Sequence, residues 1–228
     1  MAFFQEPVKR DMKRAVIFAN GQLPDIRAAQ SLIRPDDFLI GADGGTIHIF
    51  NMGLVPNVVI GDMDSLEEST LRKLTSSNIE INLYPADKNE TDLELALNYV
   101  ITEGYRETLI VAGLGGRIDQ TLGNLSLVTN SRHSPTEGPL DARFDDGVEE
   151  IFFCRDQVQV RGRSGDIVSL IPWGSEVTGV ATENLKWPLR NETLYPYKTR
   201  GISNEMLAGE ASIKIKSGLL LIVHRRLS

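Results

Sequence analysis

The chain is poor in several things that would define a function class. It has one cysteine, Cys154, so no intrachain disulfide can form. No histidine neighbours that thiol in sequence, as a catalytic thiolate would want, and a small buried hydrophobe is the plainer reading. The histidines, His48, His133 and His224, stand far apart, and without a second cysteine they offer no zinc-ligand spacing. Lys and Arg number 24 against 31 Asp and Glu, for a net charge of −7, and basic residues gather only weakly near residues 9–14. Nucleic-acid binding needs cations clustered along phosphates, and it is not expected here. The longest apolar run, LLLIV at 219–223, is far too short to span a bilayer. The opening MAFFQEPVKRDMKRAVIF has no continuous apolar segment followed by small residues, so no signal peptide and no membrane partner are expected, and the cytoplasm is the expected compartment. The G-x-x-x-x-G-K-[ST] loop is also missing. GLGGRID (113–119) is not G-x-G-x-x-G, because Ile118 takes the place of the last glycine.

What is present changes character along the 228 residues. The first ~145 residues alternate short apolar runs with helical patterns, which implies a parallel sheet with helices on its faces. Strands are expected in RAVIFANG (14–21), DFLIGADGG (37–45), NVVIGDMDS (57–65), EINLYPADK (80–88) and TLIVAGLGG (108–116). Helices are expected at 24–34, from TIHIFNMG, and at 91–103. In the last of these Leu93, Ala96, Leu97, Val100 and Ile101 form one stripe, and Thr91 with Glu94 forms a capping box. Residues 131–149, SRHSPTEGPLDARFDDGVE, read as a connection. Beyond them the period becomes two, in QVQVRG (157–162), DIVSLIPWG (166–174), EVTGVAT (176–182), ASIKIKSG (211–218) and LLLIVHRR (219–226). That suggests an antiparallel β-sandwich or barrel. The fold class is therefore α/β: an N-terminal Rossmann-like parallel-sheet domain over 1–150, then a small antiparallel β domain over 151–228 with a core thin enough to need a neighbouring surface.

In an open parallel sheet, ligands bind beyond the carboxyl ends of the strands. In order, the expected strands run into Asn20-Gly21, then Asp43-Gly44-Gly45, then Asp62 and Asp64. The fourth is followed by Asp87 and Asp92, and the fifth by Gly113, Gly115, Gly116, Arg117 and Asp119. Two carboxylates ~5 Å apart at an effective dielectric of ~20 repel by roughly 3 kcal/mol, so Asp62 and Asp64 side by side call for a cation. Extended residues two apart face the same way, which would let both reach one Mg²⁺, a hard ion suited to carboxylate and phosphate oxygens. Taken singly, each motif has a plainer reading. Asp62 and Asp64 fit a turn and a cap, Asp92 complements a helix dipole, and GLGGRID fits a tight strand-to-helix turn whose N–H groups face phosphate oxygens.

Seven segments in order, ADGG (42–45), GDMDS (61–65), DKNETDLELAL (87–97), GGRIDQTLGN (115–124), SLIP (169–172), ENLKWPL (183–189) and SNE (203–205), resemble the thiamin pyrophosphokinase family over about residues 14–225. The resemblance implies an α/β nucleotide-binding, catalytic domain and a β-sandwich thiamin-binding domain. It implies transfer of the pyrophosphoryl group of ATP to the hydroxyethyl oxygen of thiamin, with Mg²⁺ as cofactor, in a homodimer with thiamin at the subunit interface. Carried onto this chain, Asp62, Asp64 and Asp92 would hold the metal, with Asp43 nearby. Asn20, Gly21, Asp43, Gly44, Lys88, Gly115, Gly116 and Arg117 would face the nucleotide. Asp64, Asp92 and Asp119 would be catalytic, and Asp119, Trp187 and Ser203 would meet thiamin. Two positions depart from the family pattern: Asn184 stands where many relatives have glycine, and Gln120 where many have histidine, which argues against a histidine base there. Other Mg²⁺-dependent nucleotide phosphotransferases or hydrolases, and a non-catalytic nucleotide- or thiamin-binding regulator, are the rival readings.

Overall fold

A computed structural model describes residues 14–64, 70, 74, 79–129 and 140–227. It divides into two compact units. One comprises the residues up to Ile26 together with Ile33–Ala142, and the other Arg27–Leu32 together with Arg143 onward.

The first unit is built on a run without alternation. Strand β1 (Ala15–Phe18) is buried along its whole length, as a strand covered on both faces must be. β2 (Phe38–Ala42) and β5 (Glu107–Val111) flank it in parallel, with Val16 opposite Leu39 on one side and Leu109 on the other. β3 (Val58–Gly61) and β4 (Glu80–Leu83) continue outward, also parallel. The order is thus β5-β1-β2-β3-β4. The chain steps away from β1 through β4 and returns to its other side for β5. The strand order therefore reverses between β1 and β5, and such a switch point is where a ligand crevice is expected, at the carboxyl ends of the strands.

Among the described residues the helices are α1 (Ile26–Gln30), α2 (Gly45–Asn51), α3 (Asp92–Thr102) and α4 (Ile118–Leu127). α3 follows its expected stripe in Leu93, Ala96, Leu97 and Val100, which are buried, while Ile101 is only partly buried; Thr91 Oγ1 accepts from the Glu94 N–H at 3.2 Å. α1 is shorter than the expected 24–34, since only Ala29 is buried in it and no apolar face holds a longer helix. Among the described residues, no helix is long and apolar enough to cross a membrane.

The second unit is a sandwich of two antiparallel sheets. One carries β6 (Asp141–Asp145), β7 (Glu149–Cys154), β14 (Leu220–Arg225), β9 (Ile167–Pro172) and β12 (Asn204–Glu205) in that order. The other carries β8 (Gln157–Arg161), β13 (Glu210–Lys214), β10 (Val177–Glu183) and β11 (Arg190–Leu194). Phe152, Val168, Leu170, Leu220 and Ile222 from the first sheet meet Val160, Val177, Val180, Leu194 and Ile213 from the second in one core. Cys154 lies in that core, and burial pushes its thiol pKa up. It is a packing residue.

One expectation fails. Residues 140–149 are not a connection but a hairpin: Phe144 pairs with Ile151 and Asp145 with Glu150 across β6 and β7. The turn is local chemistry, with Asp145 Oδ1 accepting from the Gly147 N–H and Asp146 Oδ1 from Val148 and Glu149. The charges that made the stretch look solvated are paired. Arg143 Nη1 donates to Glu150 Oε1 at 3.0 Å, and Arg226 grips both oxygens of Asp145 at 2.8 Å. The remainder of that connection, residues 131–139 with His133, lies outside the described residues, as do Lys9, Arg10 and Lys13; Arg14 is described and donates from Nε to Asp37 Oδ1 at 3.0 Å.

His224, fully buried on β14, sits between two carboxylates. Its Nε2 donates to Asp166 Oδ2 at 3.1 Å, and its Nδ1 lies 3.5 Å from Glu150 Oε2. Burial raises the pKa of both acids. For Asp166 the N–H groups of Leu227 and Arg163 and the imidazole outweigh it. For Glu150, His224, Arg143 and Arg226 do so. Both carboxyls end below their ordinary values. Groups lowered on folding stabilise above the unfolded pKa, about 4, and that contribution is lost as pH falls toward the folded values. Thermal unfolding followed from pH 7 downward should show Tm falling below about pH 4. An Asp166→Asn, Glu150→Gln double variant should start lower and fall less steeply; an unchanged acid slope in that variant would contradict the assignment.

Candidate active site

The loops after β1 and β5 are sewn together. The Ala19 N–H donates to Val111 O at 2.9 Å, Gly21 to Ala112 O at 2.8 Å and Gln22 to Leu114 O at 3.3 Å. The approach explains the glycine: a Cβ on Gly21 would lie 2.3 Å from Ala112 O. From the other side His48 on α2, a residue that looks isolated in sequence, places Nε2 3.1 Å from Gly21 O. Gly115 and Gly116 both have left-handed backbones, φ 85° and 72°, which glycine adopts without steric cost. The Gly115 N–H donates to Thr121 Oγ1 at 3.2 Å. Between these loops lies an open cavity of about 420 Å³. Asn20, Gly21 and Gln22 line it, with Asp43 after β2, Asp92 at the start of α3, Gly113, Gly115, Gly116 and Arg117 after β5, and Gln120 and Asn124 from α4.

Asp43, Asp62 and Asp64 each offer a carboxylate oxygen, and the three oxygens lie within 4.8 Å of one another. The reason is not the one expected. Met63 has φ 65°, so Asp62 and Asp64 are not on a pleated strand. β3 ends at Gly61, and the chain turns over Met63, whose side chain is anchored in a cluster with Val59 and Leu74. The Asp64 N–H donates to Asp62 Oδ1 at 3.2 Å and closes the turn. Asp43, 6% exposed with φ 47°, has an Oδ1 that is buried without a hydrogen-bond partner. Gly44 is packed beside Asn20, whose side chain a Cβ on Gly44 would meet at 2.5 Å.

Lys88 completes the arrangement. Its Nζ lies 3.4 Å from Asp62 Oδ2 and 3.1 Å from Asp92 Oδ1. Burial works against the ammonium, but Asp92 and Asp62 outweigh it and keep Lys88 protonated. Asp62 is held below the ordinary carboxylate range, first by the Asp64 N–H and further by Lys88, against its partial desolvation. Asp92 moves the other way: burial raises its pKa, Lys88 opposes this, and the like charges of Asp43 and Asp62 add to it. Its Oδ1, in ion-pair range of Lys88 but without hydrogen-bond geometry, is the second buried acidic oxygen left unsatisfied here. The donors in the Asp43, Asp62 and Asp64 trio are all carboxylate oxygens, and Asp43 Oδ1 is buried and unsatisfied. That set fits a hard divalent cation.

Asp119 stands apart from the acidic group. On the first turn of α4 it accepts from Arg117 Nε at 3.1 Å, and both side chains are exposed, 62% and 74%. Arg117 holds the Asp119 carboxyl below its ordinary pKa. In the second unit, Trp187 is 50% exposed, with Lys186 Nζ 5.1 Å from the centroid of its ring. Ser203, φ 57°, donates its N–H to Ser169 Oγ at 3.0 Å. Trp173 packs edge-on against Phe153 instead.

Comparison with known proteins agrees with this architecture. Residues 29–137 match the model of the thiamin pyrophosphokinase catalytic domain, and residues 156–220 that of the thiamin pyrophosphokinase vitamin B1 binding domain. The chain is 27% identical to the thiamine pyrophosphokinase of Bacillus subtilis (strain 168) over 187 residues, 81% of this chain and 85% of that one. It is 27% identical to thiamine pyrophosphokinase 1 of Oryza sativa subsp. japonica over 236 residues, 91% and 85% of the two chains. The fold is that of the crystal structure of the Bacillus subtilis thiamine pyrophosphokinase, with a TM-score of 0.83 at 22% identity over 95% of this chain and 100% of that one. Two domain models of one family, met in order on a parallel-sheet unit and a β-sandwich, leave one conclusion: the chain belongs to the thiamin pyrophosphokinase family of enzymes.

Proposed function

We propose that this enzyme transfers the β,γ-pyrophosphoryl group of ATP to the hydroxyethyl oxygen of thiamin, forming thiamin diphosphate and AMP. The observation that carries the reading is the trio Asp43, Asp62 and Asp64, oxygens within 4.8 Å, with Asp43 lining a cavity at the switch point of the sheet. Asp62, Asp64 and Asp92, joined by Asp43, are the residues that would hold Mg²⁺. The bound ion supplies charge neutralisation and Lewis acidity to the phosphates.

The chain's own groups do the rest. The glycine turns at Gly21 and Gly115 leave room for the triphosphate, and the backbone N–H groups of Gly44 and Gly116 with the side chains of Asn20, Lys88 and Arg117 receive it and hold it in line with the alcohol, since such transfers depend on position and neutralised charge more than on covalent chemistry. The alcohol proton leaves late and needs a carboxylate acceptor. Asp64 and Asp119 are the candidates, and Arg117 holds the Asp119 carboxyl below its ordinary pKa. Trp187 and Ser203 receive thiamin, with cation–π contact to the indole worth about 0.5–2 kcal/mol. The first unit, built on the parallel sheet, forms the nucleotide-binding, catalytic part, and the second, the β-sandwich, forms the thiamin-binding part. The working form is a homodimer in the cytoplasm, with thiamin at the subunit interface.

The test is product analysis. Protein incubated with thiamin, ATP and Mg²⁺ should yield AMP in one-to-one ratio with thiamin diphosphate. ADP or free phosphate as product would indicate another phosphotransferase or a hydrolase. Binding without turnover would indicate a regulator. Each of those results rejects the proposal.

A further inference from the structure

A half-exposed indole is a useful platform only if its backbone is fixed, and the segment that carries Trp187 has little regular structure to fix it. Asn184 has φ 60°, and a lone antiparallel bridge joins Leu185 to Met206. The next peptide is held by a side chain. Asn204, 5% exposed, accepts from the Trp187 N–H through Oδ1 at 3.0 Å and donates through Nδ2 to Trp187 O at 2.7 Å. The same Oδ1 accepts from the Glu205 N–H at 2.9 Å. The amide thus imitates a strand neighbour for a single residue and grips it at both backbone polar groups. Asn204 is itself fixed, in register with Val168 across β12 and β9.

We infer that Asn204 is a positioning residue for thiamin: it holds the backbone of Trp187 so that the indole presents one orientation. The inference rests on the reading of Trp187 as part of the thiamin pocket. Loss of the clamp leaves the ring present but free to reorient. Thiamin affinity should then fall and the nucleotide side should not.

The experiment is a double-mutant cycle read through separate KM values. Asn204→Ala should raise the KM for thiamin about five- to thirtyfold, with the KM for ATP changed less than about twofold. Asn204→Asp covers the case in which the alanine variant does not fold, because it keeps the volume and both acceptor bonds while turning the donation to Trp187 O into a repulsion between two oxygens; it should shift the same KM in the same direction. In a Trp187→Ala background either change should add almost nothing. In a Trp173→Phe background, where Trp187 is the sole tryptophan, Asn204→Asp should lower the fluorescence anisotropy of the indole. Additive effects on KM, parallel rises for thiamin and ATP, or unchanged anisotropy would overturn the inference while leaving the pocket reading in place. A Trp187→Ala variant with the wild-type KM for thiamin would instead overturn the pocket reading, and the inference with it.

Discussion

Replacing Asp64 by Asn should lower kcat by about 10²–10³-fold, with the fold retained. The change keeps shape and removes one charge from a set of three carboxylate oxygens within 4.8 Å of one another. Electrostatic groups aimed at transition-state charge commonly account for effects of about that size, and a divalent ion loses affinity when a formal charge leaves its ligand set. Stability should barely move, because Asp64 is exposed and on a turn, where substitutions usually cost within about 0.5 kcal/mol. The measurement is turnover against Mg²⁺ concentration alongside Tm. Wild-type kcat in a folded Asp64→Asn variant would remove Asp64 from the site. A large drop in Tm would mean that its role is in the turn.

Lys88→Met should have the next largest effect, about 10–100-fold on kcat, with an unusual signature in stability. In the absence of a divalent ion, the ammonium at 3.4 Å from Asp62 and 3.1 Å from Asp92 is the cation that makes this acidic group tolerable. Without it, Asp43, Asp62, Asp64 and Asp92 repel one another through a partly buried site, where screening is incomplete. The metal-free variant should therefore melt below the wild type. Added Mg²⁺ binds the native state and not the unfolded chain, so it should restore more stability to the variant than it adds to the wild type. Thermal melts of both proteins with and without Mg²⁺ check this. An equal or smaller Mg²⁺-induced rise in Lys88→Met would contradict the idea that lysine and metal answer the same charge.

How far the sequence could be read depended on the range of the interactions involved. α3 was legible to within a residue at each end because its signals are local: a threonine cap, an apolar stripe and a terminal glycine. The order of the parallel strands put Asn20, Asp43, Asp62 and the glycines after β5 near one sheet edge. The convergence of Asp62 and Asp64 was anticipated for a wrong reason. A left-handed Met63 is not visible in a sequence, because its cost is met by burial against Val59 and Leu74. The hairpin at 140–149 is hidden from the sequence for a similar reason: Asp145 answers to Arg226, 81 residues away. His48 and His224 looked idle because their partners, Gly21 and the Asp166–Glu150 pair, lie far along the chain. The clamp on Trp187 comes from SNE (203–205), yet nothing in those letters says that the asparagine faces a tryptophan 17 residues upstream.

The central claim is that carboxylates from separate loops share one divalent ion that holds the triphosphate. It is tested most directly by a crystal grown with Mn²⁺ and a non-hydrolysable ATP analogue, read by anomalous scattering. The account predicts one strong peak at coordinating distance from oxygens of at least two of Asp43, Asp62 and Asp64 and from phosphate oxygens of the nucleotide. A peak held by the nucleotide alone, or by acidic residues elsewhere in the chain, would contradict it.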